Sequence, residues 1–342
     1  MKNRRIFIRT LASLALLPSF AEAASAAKPR LRIMGVNGWI PPSKLGYFLT
    51  HEHVMVDFIE AGKISKDRYN IDEVYKTALP FLTDVRKAGC ATMLECTPAY
   101  LGRDVQLLQR LSKATGLHLV TNTGYYGASK EKHLPEHAYT ETAEQLAARW
   151  VREFQEGIEG TAVRPGFIKL AADKAPLTPV QQKLVHAGAL AHLQTGLTIG
   201  IHSGDGAAAQ EELKILQEHG VSPEAFVWIH AQNETDFSIF SEMAEAGVWV
   251  EFDALKTDNH AQYLKLLRYM KDKGLLHKVL LSQDSGWYYV GDPGGGPYRP
   301  YTELFNAFIP ALLRNGFTQR DVDLVLKRNP VEAFGVRVRR AD

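Results

Sequence analysis

One recurring unit constrains the fold of this 342-residue chain more than any other feature: an amphipathic stretch, a glycine, then a short apolar run. The glycines are Gly89, Gly116, Gly196, Gly220, Gly247 and Gly274. Each stands where a helix would end and the next strand begin, a position that favours glycine because it needs a positive φ. The apolar runs predict strands over 46–53, 91–96, 117–123, 166–171, 197–202, 225–230, 247–252 and 278–283. The amphipathic stretches predict helices over 72–88, 104–115, 140–158, 178–195, 207–219, 235–246 and 259–273, with a last one near 301–315. Eight strands alternating with helices specify a parallel sheet, and eight is the number that closes a (β/α)8 TIM barrel. A doubly wound open sheet is the alternative. Two long loops, 124–139 and 284–300, follow the third and eighth strands, at the end where such a barrel carries its chemistry. With no linker, repeat array or low-complexity tract in view, residues 27–342 are expected to form a single domain.

The first 26 residues read differently. A basic start (Lys2, Arg4, Arg5, Arg9) precedes an apolar run from Leu11 to Leu17, and small residues with two A-x-A patterns follow. That order marks a secretory signal peptide, too short in its apolar run to span a membrane. "NRRIFIR" resembles a twin-arginine export signal, with an ordinary Sec signal as the alternative. Export by either route places the protein in the periplasm or outside the cell. The segment carries four basic side chains and one acidic, so a formal charge of +2 becomes −1 without it. No basic footprint for nucleic acid remains. Cys90 and Cys96 lie at the two ends of one predicted strand, roughly 20 Å apart, beyond disulfide reach; two buried thiols are expected.

The strand ends hold the chemistry. "FLTHEHVMVD" carries His51 and His53, which share one side of a strand and can enter the barrel mouth together, with Glu52 pointing outward. Lys169 sits inside the apolar run "GFIKLA", where a lysine is rarely buried without a partner. It either snorkels to the rim, pairs with a carboxylate such as Asp173, or loses its charge. His202 in "IHSG", His230 in "VWIHAQNE" and Asp284 in "LLSQDSGW" close three further apolar runs. Four histidines and an aspartate converging on one mouth are a ligand set for divalent metal. A neutral Lys169 amine could capture carbon dioxide as a carbamate, an anion able to bridge two ions.

The ordered set His-x-His, Lys, His, His, Asp resembles the phosphotriesterase family of the amidohydrolase superfamily. The likeness runs from "GYFLTHEH" to "NPVEAFG" and is carried by "LTHEH", "GFIKLA", "IHSG" and "LSQD". The resemblance implies that His51, His53 and Asp284 bind a buried metal and that His202 and His230 bind an outer one. It further implies that carboxylated Lys169 and a hydroxide bridge the two. "TGYYG" resembles the family's G-x-Y loop, which implies that Tyr126 hydrogen-bonds a substrate carbonyl. Zinc suits the imidazole and carboxylate donors; manganese, cobalt and iron fit the same set. Asp284 is the expected proton acceptor.

The expected reaction is hydrolysis of a carboxylic ester or lactone, with phosphotriester or amide hydrolysis as alternatives. A barrel that binds metal without catalysis is a weaker reading, and a two-lobed periplasmic binding protein conflicts with the barrel pattern. Asn233 and Ala254 stand where relatives carry relay residues. Asp253 and Glu251 either replace them or only cap and solvate the strand end. Trp287, Tyr288, Tyr289, Tyr298 and Tyr301 make the last loop aromatic, which suits an apolar or aryl substrate, and Arg299 is its lone candidate cation. The partners expected are a small-molecule substrate and the export machinery; a homodimer is the commonest assembly.

Overall fold

In a computed structural model that describes residues 31–341, the first segment is a short hairpin, β1 (Ile33–Gly35) with β2 (Gly38–Ile40). The expected signal segment, 1–26, lies outside the described residues. Ten further strands follow: β3 (Tyr47–Val56), β4 (Cys90–Glu95), β5 (His118–Val120), β6 (Asn122–Thr123), β7 (Phe167–Ala171), β8 (Thr198–His202), β9 (Phe226–Ile229), β10 (Trp249–Phe252), β11 (Val279–Leu281) and β12 (Gly286–Tyr289). Pairing is parallel throughout, in the orders β12-β3-β4-β5 and β6-β7-β8-β9-β10-β11. β5 and β6 are two halves of one predicted strand, interrupted at Thr121, whose carbonyl accepts from Gly166 N at 2.8 Å. On the other side, Asp284 N donates to His51 O at 3.0 Å, and His53 N donates to Ser285 O at 2.9 Å. These bonds run between the first long strand and the last, forming the seam of a TIM barrel.

All eight predicted strands are present within a few residues of their expected bounds. The six helix-ending glycines all take positive φ, from 70° to 117°. Helix starts are fixed as elementary capping requires: Asn70 accepts from Asp72 N and Glu73 N, and Thr178 forms a capping box with Gln181. Some elements differ from expectation. The helix expected over 140–158 is split into Glu136–Thr140 and Ala143–Glu156, so part of the 124–139 loop is helical. β12 lies inside the stretch expected as loop, and Gly286 allows it: a Cβ there would stand 1.8 Å from His53 O. The final region forms wide helical turns, Leu304–Phe308 and Leu324–Arg328, each running into a proline-containing helix.

Two apolar layers follow from strand alternation. Ile168, Leu170, Ile199 and Ile201 face the surrounding helices. Phe48, Leu94, Val120, Phe167, Val227, Trp249 and Leu280 pack together on the inside and fill the lower barrel. Lys169 shares its strand face with Phe167, so it too points inward. Register between β3 and β4 shifts between Leu49 and Glu52, the stretch that contains His51. Both cysteines are buried free thiols. Among the described residues no helix is long and apolar enough to cross a membrane.

Candidate metal centre at the barrel mouth

The side chains expected at the site meet at the upper end of the barrel. Ring centroids of His51 and His53 are 5.3 Å apart, those of His51 and His230 4.9 Å, and those of His202 and His230 4.5 Å. His53 Nε2 lies 3.2 Å and His51 Nε2 3.9 Å from Asp284 Oδ1. Asp284 Oδ1 is buried and accepts no hydrogen bond, so a buried carboxylate oxygen faces two imidazole nitrogens. That donor set fits a divalent cation. His230 and Asp284 hold their backbones at φ of 63° and 51°, a left-handed region that costs a non-glycine residue energy and is tolerated where geometry matters more than ease of folding.

Lys169 is buried, and its Nζ makes one hydrogen bond, to Leu170 O at 3.3 Å. Asp173, a possible partner from the sequence, is taken by Ser129 N, Lys130 N and Gln181 Nε2. Burial lowers the Lys169 pKa, which favours the neutral, reactive amine. Gly124 (φ 113°) brings the following loop against this strand, where a Cβ would stand 2.3 Å from Lys169 O. The loop delivers Tyr126, whose ring lies 5.9 Å from Lys169 Nζ and whose hydroxyl is 3.4 Å from His202 Nδ1.

Each histidine is oriented by a second contact. Asp253 is fully buried and faces two of them: Oδ1 hydrogen-bonds His230 Nδ1 at 2.6 Å, and Oδ2 stands 3.0 Å from His51 Nδ1 as an ion-pair contact without hydrogen-bond geometry. Gln232 holds Asp253 in turn, donating from Nε2 at 2.9 Å. Asp253 thus lies behind the Nδ1 side of both rings, and His51, His230 and Asp253 together form a second group of donors close enough to hold a metal ion, beside His51, His53 and Asp284. Burial opposes charge on His51, but Asp253 outweighs it and raises the imidazole to about 10 in the metal-free chain. Burial pushes His53 down to about 4 despite Asp284, and also holds His202 well below its usual value.

Glu52 points away from the mouth, as alternation predicts, and it is buried. Its carboxylate accepts from Ser282 Oγ at 2.8 Å, Gln283 N at 3.1 Å and Ser285 N at 2.7 Å, gripping the chain on both sides of Asp284. Asp253 and Glu251 do not solvate a strand end; both are fully buried, and Asp253 faces two histidines. The last loop is less available than its composition suggests. Tyr301 is buried and donates to His53 O, Tyr298 pairs with the Tyr301 hydroxyl, and Tyr288 is buried. Trp287 and Tyr289 remain beside the mouth, stacked with Phe58. The Trp287 indole donates to Asp284 O at 2.7 Å, and the Arg299 guanidinium donates to the same oxygen. Asn233 is exposed, and Ala254 is bonded through its backbone to Tyr263 and Asn259.

Comparison with known proteins agrees with this geometry. The phosphotriesterase family model matches residues 32–334, and the chain belongs to that family. The phosphotriesterase homology protein of Escherichia coli (strain K12) is 31% identical over 296 residues, covering 84% of this chain and 98% of that protein. The aryldialkylphosphatase of Saccharolobus solfataricus is 29% identical over 318 residues, covering 89% of this chain and 99% of that protein. The structure of a PTE-like lactonase mutant from Deinococcus radiodurans superposes with a TM-score of 0.80 at 27% identity, covering 89% of this chain and all of that one. The chain is accordingly a metal-dependent hydrolase acting on a small molecule, and its fold is the barrel rather than the open sheet.

Proposed function

We propose that this chain is a binuclear metal-dependent hydrolase that cleaves a carboxylic ester or a lactone. The observation that carries the reading is the meeting of His51 Nε2 and His53 Nε2 on an unbonded Asp284 Oδ1, beside a buried Lys169 amine. His51, His53 and Asp284 would hold one ion and His202 and His230 the other, with Lys169, carboxylated by carbon dioxide, between them. Two divalent cations, zinc being the first choice and manganese, cobalt or iron also suited, would supply an activated water and an electrophile for the substrate oxygen.

The chain's own residues do the rest. The Asp284 carboxyl pKa lies below the usual carboxylate range: burial opposes ionisation, but His53 and His51 outweigh it. It is thus ionised near neutrality, and its position beside the two imidazoles suits it to take the proton released on attack and pass it to the leaving group. The Tyr126 hydroxyl, kept protonated by burial, can donate to the substrate carbonyl oxygen. Trp287, Tyr289 and Phe58 offer stacked rings to an apolar acyl or aryl group. Phosphotriester hydrolysis is the second reading, favoured by the name of the Saccharolobus relative.

Residues 1–26 would direct export, leaving 27–342 as the working domain. Metal analysis of purified protein, joined to an ester, lactone and phosphotriester panel with and without chelator, tests the whole reading. About two metals per chain and chelator-sensitive ester or lactone turnover are expected. Metal without turnover on any of the three would leave only a metal-binding barrel. Carboxylation is read separately: carbon-13 carbon dioxide should give a carbamate signal that Lys169→Ala abolishes.

A further inference from the structure

His53 differs from the other imidazoles in what stands behind it. Its Nδ1 lies 2.8 Å from Thr97 Oγ1, and Thr97 Oγ1 lies 2.5 Å from Glu95 Oε1. Glu95 and Thr97 are both buried, so no water competes for these bonds. Their position is fixed independently of His53. Asn122 Nδ2 donates to Glu95 O at 2.9 Å and to Thr97 O at 3.1 Å, while Val54 N donates to Glu95 Oε1 at 3.2 Å. A threonine hydroxyl has one proton to give. Glu95 Oε1 at 2.5 Å and the Met55 carbonyl oxygen at 3.0 Å both stand ready to take it. The hydroxyl oxygen is then left with lone pairs only toward His53, so it must accept from Nδ1–H.

We propose that Thr97 and Glu95 are positioning residues for His53, setting the tautomer in which Nδ1 carries the proton and Nε2 presents its lone pair to the Asp284 side of the mouth. The threonine serves as a one-atom spacer between imidazole and carboxylate. It passes the hold of Glu95 on to the ring while keeping the carboxyl group one hydroxyl away from the ligand. The inference rests on the metal-binding reading above and concerns His53 alone; Asp253 does not reach this ring.

The test uses Thr97→Val, which keeps the shape and removes the hydroxyl, with Thr97→Ser as the rescue. Wild type and both variants are loaded with cobalt, and release to a chelator is followed by the visible spectrum. Far-UV circular dichroism and thermal midpoint are recorded alongside. For Thr97→Val, one of two cobalt ions should leave about 10- to 100-fold faster, with an altered ligand-field band for that ion. Thr97→Ser should restore both the rate and the band. Equal release from Thr97→Val and wild type overturns the proposal while leaving the binuclear site intact. A wild type that binds no cobalt overturns the metal reading instead. Should Thr97→Val not fold, Glu95→Gln takes its place, since it weakens the claim on the hydroxyl proton. Wild-type release from that variant counts equally against the proposal.

Discussion

The Nδ1 atoms of His51 and His230 face one carboxylate, Asp253, whereas His53 Nδ1 meets a carboxyl group, Glu95, only through a hydroxyl. The two sides of the mouth thus solve the same orienting problem with different stiffness. On the Asp253 side a single buried anion fixes two rings, which couples them: whatever displaces one disturbs the other. On the Thr97 side the ring is fixed alone, through a group that carries no charge. A site built this way has one shared support and one private one, and substitutions should reveal the difference.

Asp253→Asn should have the largest effect. An asparagine can accept from one imidazole, but it turns an amide donor toward the other. Removing a single outer partner weakens metal binding about 10- to 100-fold, so losing the shared one should exceed 100-fold, read by chelator competition. Loss of only one ion would show that the two rings are not coupled as the geometry indicates. Thr97→Val comes next, with its effect confined to one ion. Tyr126→Phe should be smaller still: removal of one hydrogen bond to substrate costs about 0.5–1.5 kcal/mol, up to roughly tenfold in kcat/KM, with metal content unchanged. A drop in metal content would instead place the hydroxyl in support of His202.

The smallest expected effect separates the two carboxylates by pH in metal-free protein. Burial raises Glu95 to about 7, so the folded chain favours its acid form. That contribution to stability is complete below the ordinary value of 4.5 and is lost as pH rises through 7. Burial opposes charge on Asp253 too, but His230 and His51 overcome it and hold the carboxyl well below its ordinary 3.8. Its contribution is therefore present above that value and lost only in acid. Urea midpoints measured from pH 5 to 8 should fall, and Glu95→Gln should make the fall shallower. An unchanged slope would remove Glu95 from the account.

The barrel was legible because helix-ending glycines and apolar runs report local backbone needs that tertiary packing did not override. The inward residues were legible because His51 and His53 alternate on a strand. The same alternation in "WVEFD" places Glu251 and Asp253 on the inner face with Trp249, and it could have identified Asp253 as buried. For Glu52 alternation gives direction, not depth: outward from this strand is still inside the protein. Thr97 could not be found from spacing. Its role depends on how β3 and β4 lie side by side and on a contact across 44 residues of chain. β12 was hidden because its pairing depends on Gly286 approaching the His53 carbonyl.

The seam has one more consequence. His51 and His53 stand on β3 and Asp284 on the segment that joins β11 to β12, so an ion held there would act as a clasp between the beginning and the end of the barrel's circuit. Removing it should loosen that one join before any other. In hydrogen exchange, backbone amides of residues 51–56 and 282–289 should lose protection after chelation, while β7 to β9 on the far wall keep theirs.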